Sequence, residues 1–151
     1  MKHIWVYLFS IACFSLCMVS CGNEDEKFES IDFKTEGVKL HKTSVTSYYG
    51  EVTSEGGALV FEATGKNRAY GFLSEIEVGD FLYVVPNSDR SKPLPYTVCD
   101  EDWGKVVITS TSPHTTQLIL KANESGSGKN IRLNFGVAYR ISDVFITLLK
   151  K

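Results

Sequence analysis

The chain has few cysteines and few histidines, and their positions limit the chemistry that it can support. Three of the four cysteines lie within the first 21 positions, so Cys99 stands alone in the rest of the chain. A single cysteine cannot form an internal disulfide, and burial is the usual state of such a thiol. Beyond position 26 there are only two histidines, His41 and His114, too few for a Cys/His metal site. We therefore predict a buried, unpaired Cys99 and no metal or other cofactor.

The chain also lacks an excess of positive charge. Its 16 Lys and Arg residues stand against 18 Asp and Glu residues, which gives a formal net charge of -2. A nucleic-acid partner requires a basic stripe, and no such cluster is visible, so we predict no nucleic-acid binding. The acidic run Asp100-Glu101-Asp102 lacks the spacing of a calcium-binding loop and is interpreted as a solvated turn.

Sequence motifs of catalysis are missing as well. There is no G-x-S-x-G sequence to place a serine nucleophile on a strained turn, and Gly126-Ser127-Gly128 lacks the required spacing. A glycosidase needs only two suitably placed carboxylates, so the 18 acids leave that alternative open. A small domain with short loops, however, offers little cleft for such a reaction. We therefore predict that the protein is not an enzyme.

The one long uncharged run lies at the N-terminus. It covers 16 residues, from Ile4 to Val19, after a short basic start. This is shorter than the roughly 20 residues of a transmembrane helix but long enough for the apolar part of a secretory signal. The run closes on Met-Val-Ser-Cys21, which resembles the lipobox of bacterial lipoproteins. The resemblance implies that residues 1–20 are a signal peptide and that Cys21 is lipidated; a signal anchor and an ordinary secretory signal are the alternatives.

An acidic segment follows the cysteine. Residues 22–27, Gly-Asn-Glu-Asp-Glu-Lys, contain no apolar side chain. Such a composition cannot offset the entropy lost on ordering, so we predict that residues 21–42 are the lipidated cysteine and a flexible acidic tether. Acids directly after a lipidated cysteine resemble the signal that sends Bacteroidota lipoproteins to the outer face of the outer membrane. The resemblance implies a lipid-anchored protein at the cell surface; the periplasmic face of that membrane is the alternative.

From Thr43 onward the apolar pattern has a period of two. In Ile131–Tyr139, five apolar residues occupy alternate positions, as in a half-buried strand. Turn residues bound the shorter apolar runs Leu59–Ala63 and Leu118–Ala122. Further strands are predicted at 69–76, 81–85, 96–99, 106–109 and 144–149. About seven to nine strands without a convincing amphipathic helix indicate an all-β fold, an antiparallel immunoglobulin-like β-sandwich over residues 43–151, with a barrel as the main rival.

Three of these segments combine strands with a characteristic set of turns. In Val52–Ala63 a glycine turn opens a strand, Leu118–Ser125 ends in an Asn-x-Ser turn, and Lys129–Phe135 begins the next strand. This order resembles BACON domains, the immunoglobulin-like modules of Bacteroidota lipoproteins and glycan-degrading enzymes. The resemblance covers roughly residues 43–149. It implies a sandwich found in carbohydrate contexts, by analogy of fold and not of a defined site.

Aromatic side chains are the candidates for ligand contact, because sugar rings stack on aromatic faces while polar neighbours bond the hydroxyls. Tyr48 and Tyr49 are adjacent, so in any strand they point to opposite faces and one of them should be exposed. Trp103, beside the acidic turn, is the third candidate. Tyr83 and Tyr139 continue apolar alternations and are predicted to lie in the core.

Together these patterns predict a membrane-anchored lipoprotein of the outer membrane that acts as a non-catalytic glycan-binding or accessory module. The predicted partners are the membrane, through the lipid anchor, and a carbohydrate. The alternative is a structural or protein-interaction subunit of an outer-membrane assembly, with no glycan site.

Lipidation of Cys21 can be tested by growing expressing cells with a fatty-acid probe. We expect the wild-type chain to be labelled and Cys21→Ala to be unlabelled, because only the lipobox cysteine accepts lipid. Cys17→Ala is the matched control, since Cys17 lies within the predicted signal peptide and its loss should leave the label unchanged. Equal labelling of wild type and Cys21→Ala would contradict the prediction.

Overall fold

The structure is a computed structural model and describes residues 27–151. The predicted signal peptide and Cys21 lie outside the described residues. Within residues 27–151 neither helix is long and apolar enough to cross a membrane. The elements are two short 3-10 helices, Arg68–Tyr70 and Asn87–Ser91, and eleven strands: β1 Asp32–Glu36, β2 His41–Lys42, β3 Ser47–Val52, β4 Gly57–Thr64, β5 Leu73–Val78, β6 Phe81–Val84, β7 Tyr96–Glu101, β8 Gly104–Thr111, β9 His114–Leu120, β10 Lys129–Val137 and β11 Arg140–Leu148.

The strands form two sheets with the core between them. The five-stranded sheet has the order β1-β4-β9-β8-β7 and is antiparallel throughout. The six-stranded sheet has the order β2-β3-β11-β10-β5-β6, and only its β3/β11 pair is parallel. The runs β1-β4-β9-β8 and β11-β10-β5 follow the ABED and GFC orders of the immunoglobulin fold. The predicted all-β sandwich is thus confirmed, with more strands than expected and one parallel pair.

The sandwich begins before residue 43. Strand β1 pairs along its whole length with β4, from Asp32 opposite Thr64 to Glu36 opposite Val60. Just before β1, the fully buried Ile31 donates its N–H to the Ser142 hydroxyl at 2.9 Å, and its carbonyl accepts from the same hydroxyl at 2.9 Å. The predicted tether of residues 21–42 was therefore too long. The inward positions of β1 are Phe33 and Thr35, so only one of them is apolar and the alternation was too short to indicate a strand in the sequence.

Aromatic rings join the two sheets at the centre of the core. Phe135 of β10 points inward, and its ring centroid lies 4.7 Å from that of Phe33 in β1 and 6.3 Å from that of Phe61 in β4. Phe61 and Phe135 are both 1% exposed or less. In antibody domains a disulfide connects the strands that correspond to β4 and β10. Here an aromatic cluster, defined as Phe33, Phe61 and Phe135, makes that connection.

Two further predictions need correction, and a third is confirmed. Tyr139 was predicted to be core but is 41% exposed, because β10 ends at Val137 and the chain reverses at Ala138, which has a φ of 50°. The segment 69–76 is only partly a strand: β5 starts at Leu73, after a 3-10 turn. Cys99 is buried and forms no disulfide within residues 27–151, as predicted, and burial raises the pKa of its thiol to about 11.

Removing one ring of the aromatic cluster should be costly. We expect Phe135→Ala to lower the free energy of unfolding by about 3–5 kcal/mol, because it leaves a cavity between the sheets. Phe145→Ala is the matched control: the same ring is lost from the adjacent strand, but its ring is 40% exposed and the expected cost is about 1 kcal/mol. Denaturant unfolding followed by circular dichroism measures both. Equal losses would contradict the assignment of the cluster.

Candidate functional site

The three aromatic residues predicted to contact ligand lie in three different environments. Tyr48 points into the sandwich and is buried, with its hydroxyl donating to Oδ1 of Asp32 at 2.7 Å. Burial raises the pKa of Tyr48 to about 12, and the hydrogen bond to Asp32 adds to the shift. Tyr48 therefore belongs to the core, and its ring offers no free face to a ligand.

Trp103 is also buried. It lies in the turn between β7 and β8, where its ring centroid is 6.1 Å from that of Phe81 in an edge-on arrangement. Its indole Nε1 is buried and has no hydrogen-bond partner among residues 27–151. Trp103 thus fills the end of the core and does not form part of a surface with either tyrosine.

Tyr49 points the other way, onto the outer face of the six-stranded sheet. Strand register places it in a row across the sheet: Tyr49 pairs with Phe145, Phe145 with Arg132, and Arg132 with Glu77. Adjacent strands are about 4.8 Å apart, so these side chains are direct neighbours. A shallow groove of about 520 Å³ runs over them. We name this surface the outer-face site and define it by Tyr49, Glu77, Asn130, Arg132, Phe145 and Thr147.

Arg132 is held in place by two carboxylates. Its Nε lies 2.8 Å from Oδ1 of Asp143, and its Nη1 lies 3.1 Å from Oε2 of Glu77. Asn134 donates to the same Asp143 oxygen at 3.0 Å. Within residues 27–151 these contacts use two of the five guanidinium N–H donors, and the other three remain for water or a ligand. The guanidinium is thus fixed in direction before any ligand arrives.

Further polar groups border the half-buried Tyr49 ring and the exposed Phe145 ring. The Tyr49 hydroxyl donates to Oε1 of Glu51 at 2.7 Å, and the Thr147 hydroxyl donates to Oδ1 of Asn130 at 2.9 Å. The site therefore combines adjacent aromatic rings with a fixed guanidinium, an amide and hydroxyls. Such a set can stack against an apolar ring face and hydrogen-bond the groups around its edge. In the part of the chain that the structure describes, no three His, Cys, Asp or Glu side chains come together as a metal site.

Sequence reasoning identified Tyr49 but missed Phe145 and Arg132. The run Val144–Leu149 is apolar at nearly every position, a pattern typical of a central strand or of a strand covered on both faces. In the structure Phe145 lies on the outer face and is 40% exposed. A large apolar residue on the outward face of a central strand could have indicated a binding surface. The sequence does not show which residues of β11 point inward, so Phe145 could not be recognised as outward-facing.

Comparisons with known proteins identify the fold but no family. No protein-family model matches the chain, and no curated protein matches its sequence. Among solved structures, an NMR structure of a protein from Bacteroides thetaiotaomicron is similar, with a TM-score of 0.52 and 11% sequence identity. The similarity covers 87% of this chain and 96% of that chain. At this identity it shows the fold alone, and the resemblance to BACON domains stays a prediction.

The assignment of Tyr48 to the core can be tested by ultraviolet titration of the folded protein. At about pH 11 ordinary phenols, with a pKa of about 10, are mostly ionised, whereas Tyr48 should not be. We therefore expect wild type and Tyr48→Phe to show the same phenolate absorbance at that pH. A lower phenolate signal in Tyr48→Phe would mean that Tyr48 ionises like an exposed tyrosine.

Proposed function

We propose that the protein is a membrane-anchored lipoprotein whose sandwich binds glycans at the outer-face site without catalysing a reaction. Phe145 carries this proposal. It contributes little to the core, lies in the middle of a six-stranded sheet, and adjoins a second ring and a fixed guanidinium. Folding alone does not require a large apolar side chain at that position, whereas a ligand with an apolar ring face would use it.

The shape of the site favours an extended glycan over a compact metabolite. Pockets for small molecules usually enclose most of the ligand surface. The groove over Tyr49 and Phe145 is shallow and open, so it would leave a single sugar largely exposed. A longer glycan would extend beyond the groove and gain further contacts with the surface of the sheet. Asn130 and Arg132 lie where the ring hydroxyls of a stacked sugar would need donors.

The proposed location supports the same function. Lipidation at Cys21 would hold the domain at the outer membrane, and the acidic residues after it resemble the signal for surface export. The BACON-like pattern adds a carbohydrate context by resemblance. A module at the cell surface would meet glycans before they enter the cell, which suits an accessory role beside separate degrading enzymes.

One observation favours the alternative, a protein-interaction subunit. Strand β6 forms the edge of the six-stranded sheet, and its Leu82 and Val84 are 60% and 59% exposed. An uncovered edge with apolar side chains can accept a strand from another protein. Because β6 lies at the edge of the sheet and Phe145 near its centre, substitutions can separate the two functions.

Calorimetric titration with a panel of soluble plant and host oligosaccharides tests the glycan proposal. Calorimetry is preferable to fluorescence, since the buried Trp103 should not sense a ligand on the outer face. We expect Phe145→Ala and Tyr49→Ala each to weaken binding of a recognised glycan by about 1–3 kcal/mol, the effect of losing a stacked aromatic anchor. Leu82→Ala is the control: it removes an exposed apolar side chain from the same face and should leave glycan affinity unchanged.

The two functions give different results in this experiment. No heat from any glycan with folded protein would overturn the glycan proposal. Specific co-purification of an outer-membrane protein that is lost in Leu82→Ala and kept in Phe145→Ala would then support the protein-interaction subunit.

A further inference from the structure

The strand directions gather six chain segments at one end of the sandwich. The strand orders and registers bring together residues 27–31, 43–46, 65–72, 85–95, 112–113 and 138–139. The chain enters the described structure there, where the Glu29 N–H donates to the Tyr139 carbonyl at 2.7 Å. We name this the entry end. The opposite, distal end carries residues 37–40, 53–56, 79–80, 102–103, 121–128 and 149–151.

Exposed apolar side chains concentrate at the entry end. Five of the nine large exposed apolar residues of the described chain lie in or beside its segments, and they come from four separate stretches of the chain: Phe28, Val45, Leu94, and Val137 with Tyr139. Three of the other four, Leu82, Val84 and Phe145, lie on the outer face of the six-stranded sheet, and only Leu149 lies at the distal end. Because the strands bring these stretches together, the clustering is a property of the fold.

The same end carries positive charge. Its segments contain five bases and two acids, a net of +3, although the whole chain has a net charge of -2; the residues are Lys27, Lys66, Arg68, Arg90 and Lys92 against Glu29 and Asp89. The distal segments contain four bases and four acids. At the base of the entry end the Arg140 guanidinium lies 4.6 Å from the Tyr70 ring centroid and 4.5 Å from that of Tyr139.

We propose that the entry end docks on the anionic surface of the membrane that holds the protein. Aromatic, aliphatic and cationic side chains together are the composition that suits the membrane–water interface. The proposed lipid site is close in the chain, because the seven residues from Cys21 to Phe28 span at most about 25 Å when extended. The inference rests on the lipid anchor of the proposed function. The acids at positions 24–26 oppose the attraction, so the domain's own bases must supply it.

Docking in this way sets the orientation of the domain. The strands run between the entry end and the distal end, so they stand away from the membrane when the entry end is seated on it. The outer-face site then faces sideways, clear of the lipid surface. The anchor and the glycan site would thus not compete for the same part of the molecule.

The test uses full-length protein purified from membranes and reconstituted in vesicles with brominated acyl chains, which quench nearby tryptophan. Tyr139→Trp places a reporter at the entry end and Leu149→Trp places one at the distal end, where the side chain is 39% exposed. We expect brominated lipid to quench a larger fraction of the tryptophan emission in Tyr139→Trp than in wild type. In Leu149→Trp the added tryptophan should not be quenched. Quenching of the Tyr139→Trp reporter should be stronger in vesicles with anionic headgroups than in neutral vesicles. High salt should remove this difference, because it screens the attraction between the bases and the headgroups.

A charge variant gives a second, quantitative measurement. In this experiment the full chain is added to preformed vesicles without reconstitution. We expect the double variant Lys66→Gln/Arg68→Gln to bind anionic vesicles about tenfold or more weakly than wild type, because each surface base raises the affinity by a factor of about five. Lys39→Gln/Lys121→Gln, which removes two bases from the distal end, is the matched control and should bind as wild type does.

The outcomes separate docking from anchoring. If fatty-acid labelling of Cys21 fails but the entry-end variants still weaken vesicle binding, the anchor is wrong and docking stands. If Cys21 is lipidated but brominated lipid quenches the Tyr139→Trp reporter no more than the Leu149→Trp reporter, docking is overturned and the anchor stands. Protection of the Tyr139→Trp reporter from a water-soluble quencher only when another membrane protein is present would also overturn docking on lipid.

Discussion

The packing of Phe135 against Phe33 and Phe61 is the contact on which the rest of the structure depends. It joins strands from both sheets at the centre of the core, with ring centroids 4.7 and 6.3 Å from that of Phe135. Side chains alternate along a strand, so an inward Phe135 requires Arg132 and Asn134 to face outward. A slip of one residue would send every inward side chain to the solvent, and burial of the rings therefore also fixes the register. The packing of the core therefore determines which side chains form the outer-face site.

The start of the domain depends on a second, smaller contact. The Ser142 hydroxyl bonds both the N–H and the carbonyl of Ile31, which attaches the incoming chain to β11. This contact also holds the chain at the end that carries the exposed apolar residues and the bases. The core thus determines which face is open to a ligand, and the Ile31–Ser142 contact determines which end lies nearest to the proposed anchor.

Local patterns in the sequence predicted the strands well, and non-local pairing explains most of what they missed. The alternation in β10 is a property of nine adjacent residues and was visible directly. The parallel pairing of β3 with β11 joins residues such as Tyr49 and Phe145, which are far apart in the chain, and no local pattern records it. Alternation showed that one of Tyr48 and Tyr49 must face outward, but only the position of β3 in the sheet shows that it is Tyr49. Tyr139 continued the alternation past the end of its strand, because periodicity does not reveal where a hairpin turns.

Mapping of amide chemical shifts by NMR during titration with a glycan that binds is the most direct test of the outer-face site. The account predicts that the largest shifts fall on β3, β10 and β11 around Tyr49, Arg132 and Phe145, with small shifts at the entry and distal ends. Shifts centred elsewhere would contradict it, for example in the groove lined by Arg68 and His114 or along β6 alone.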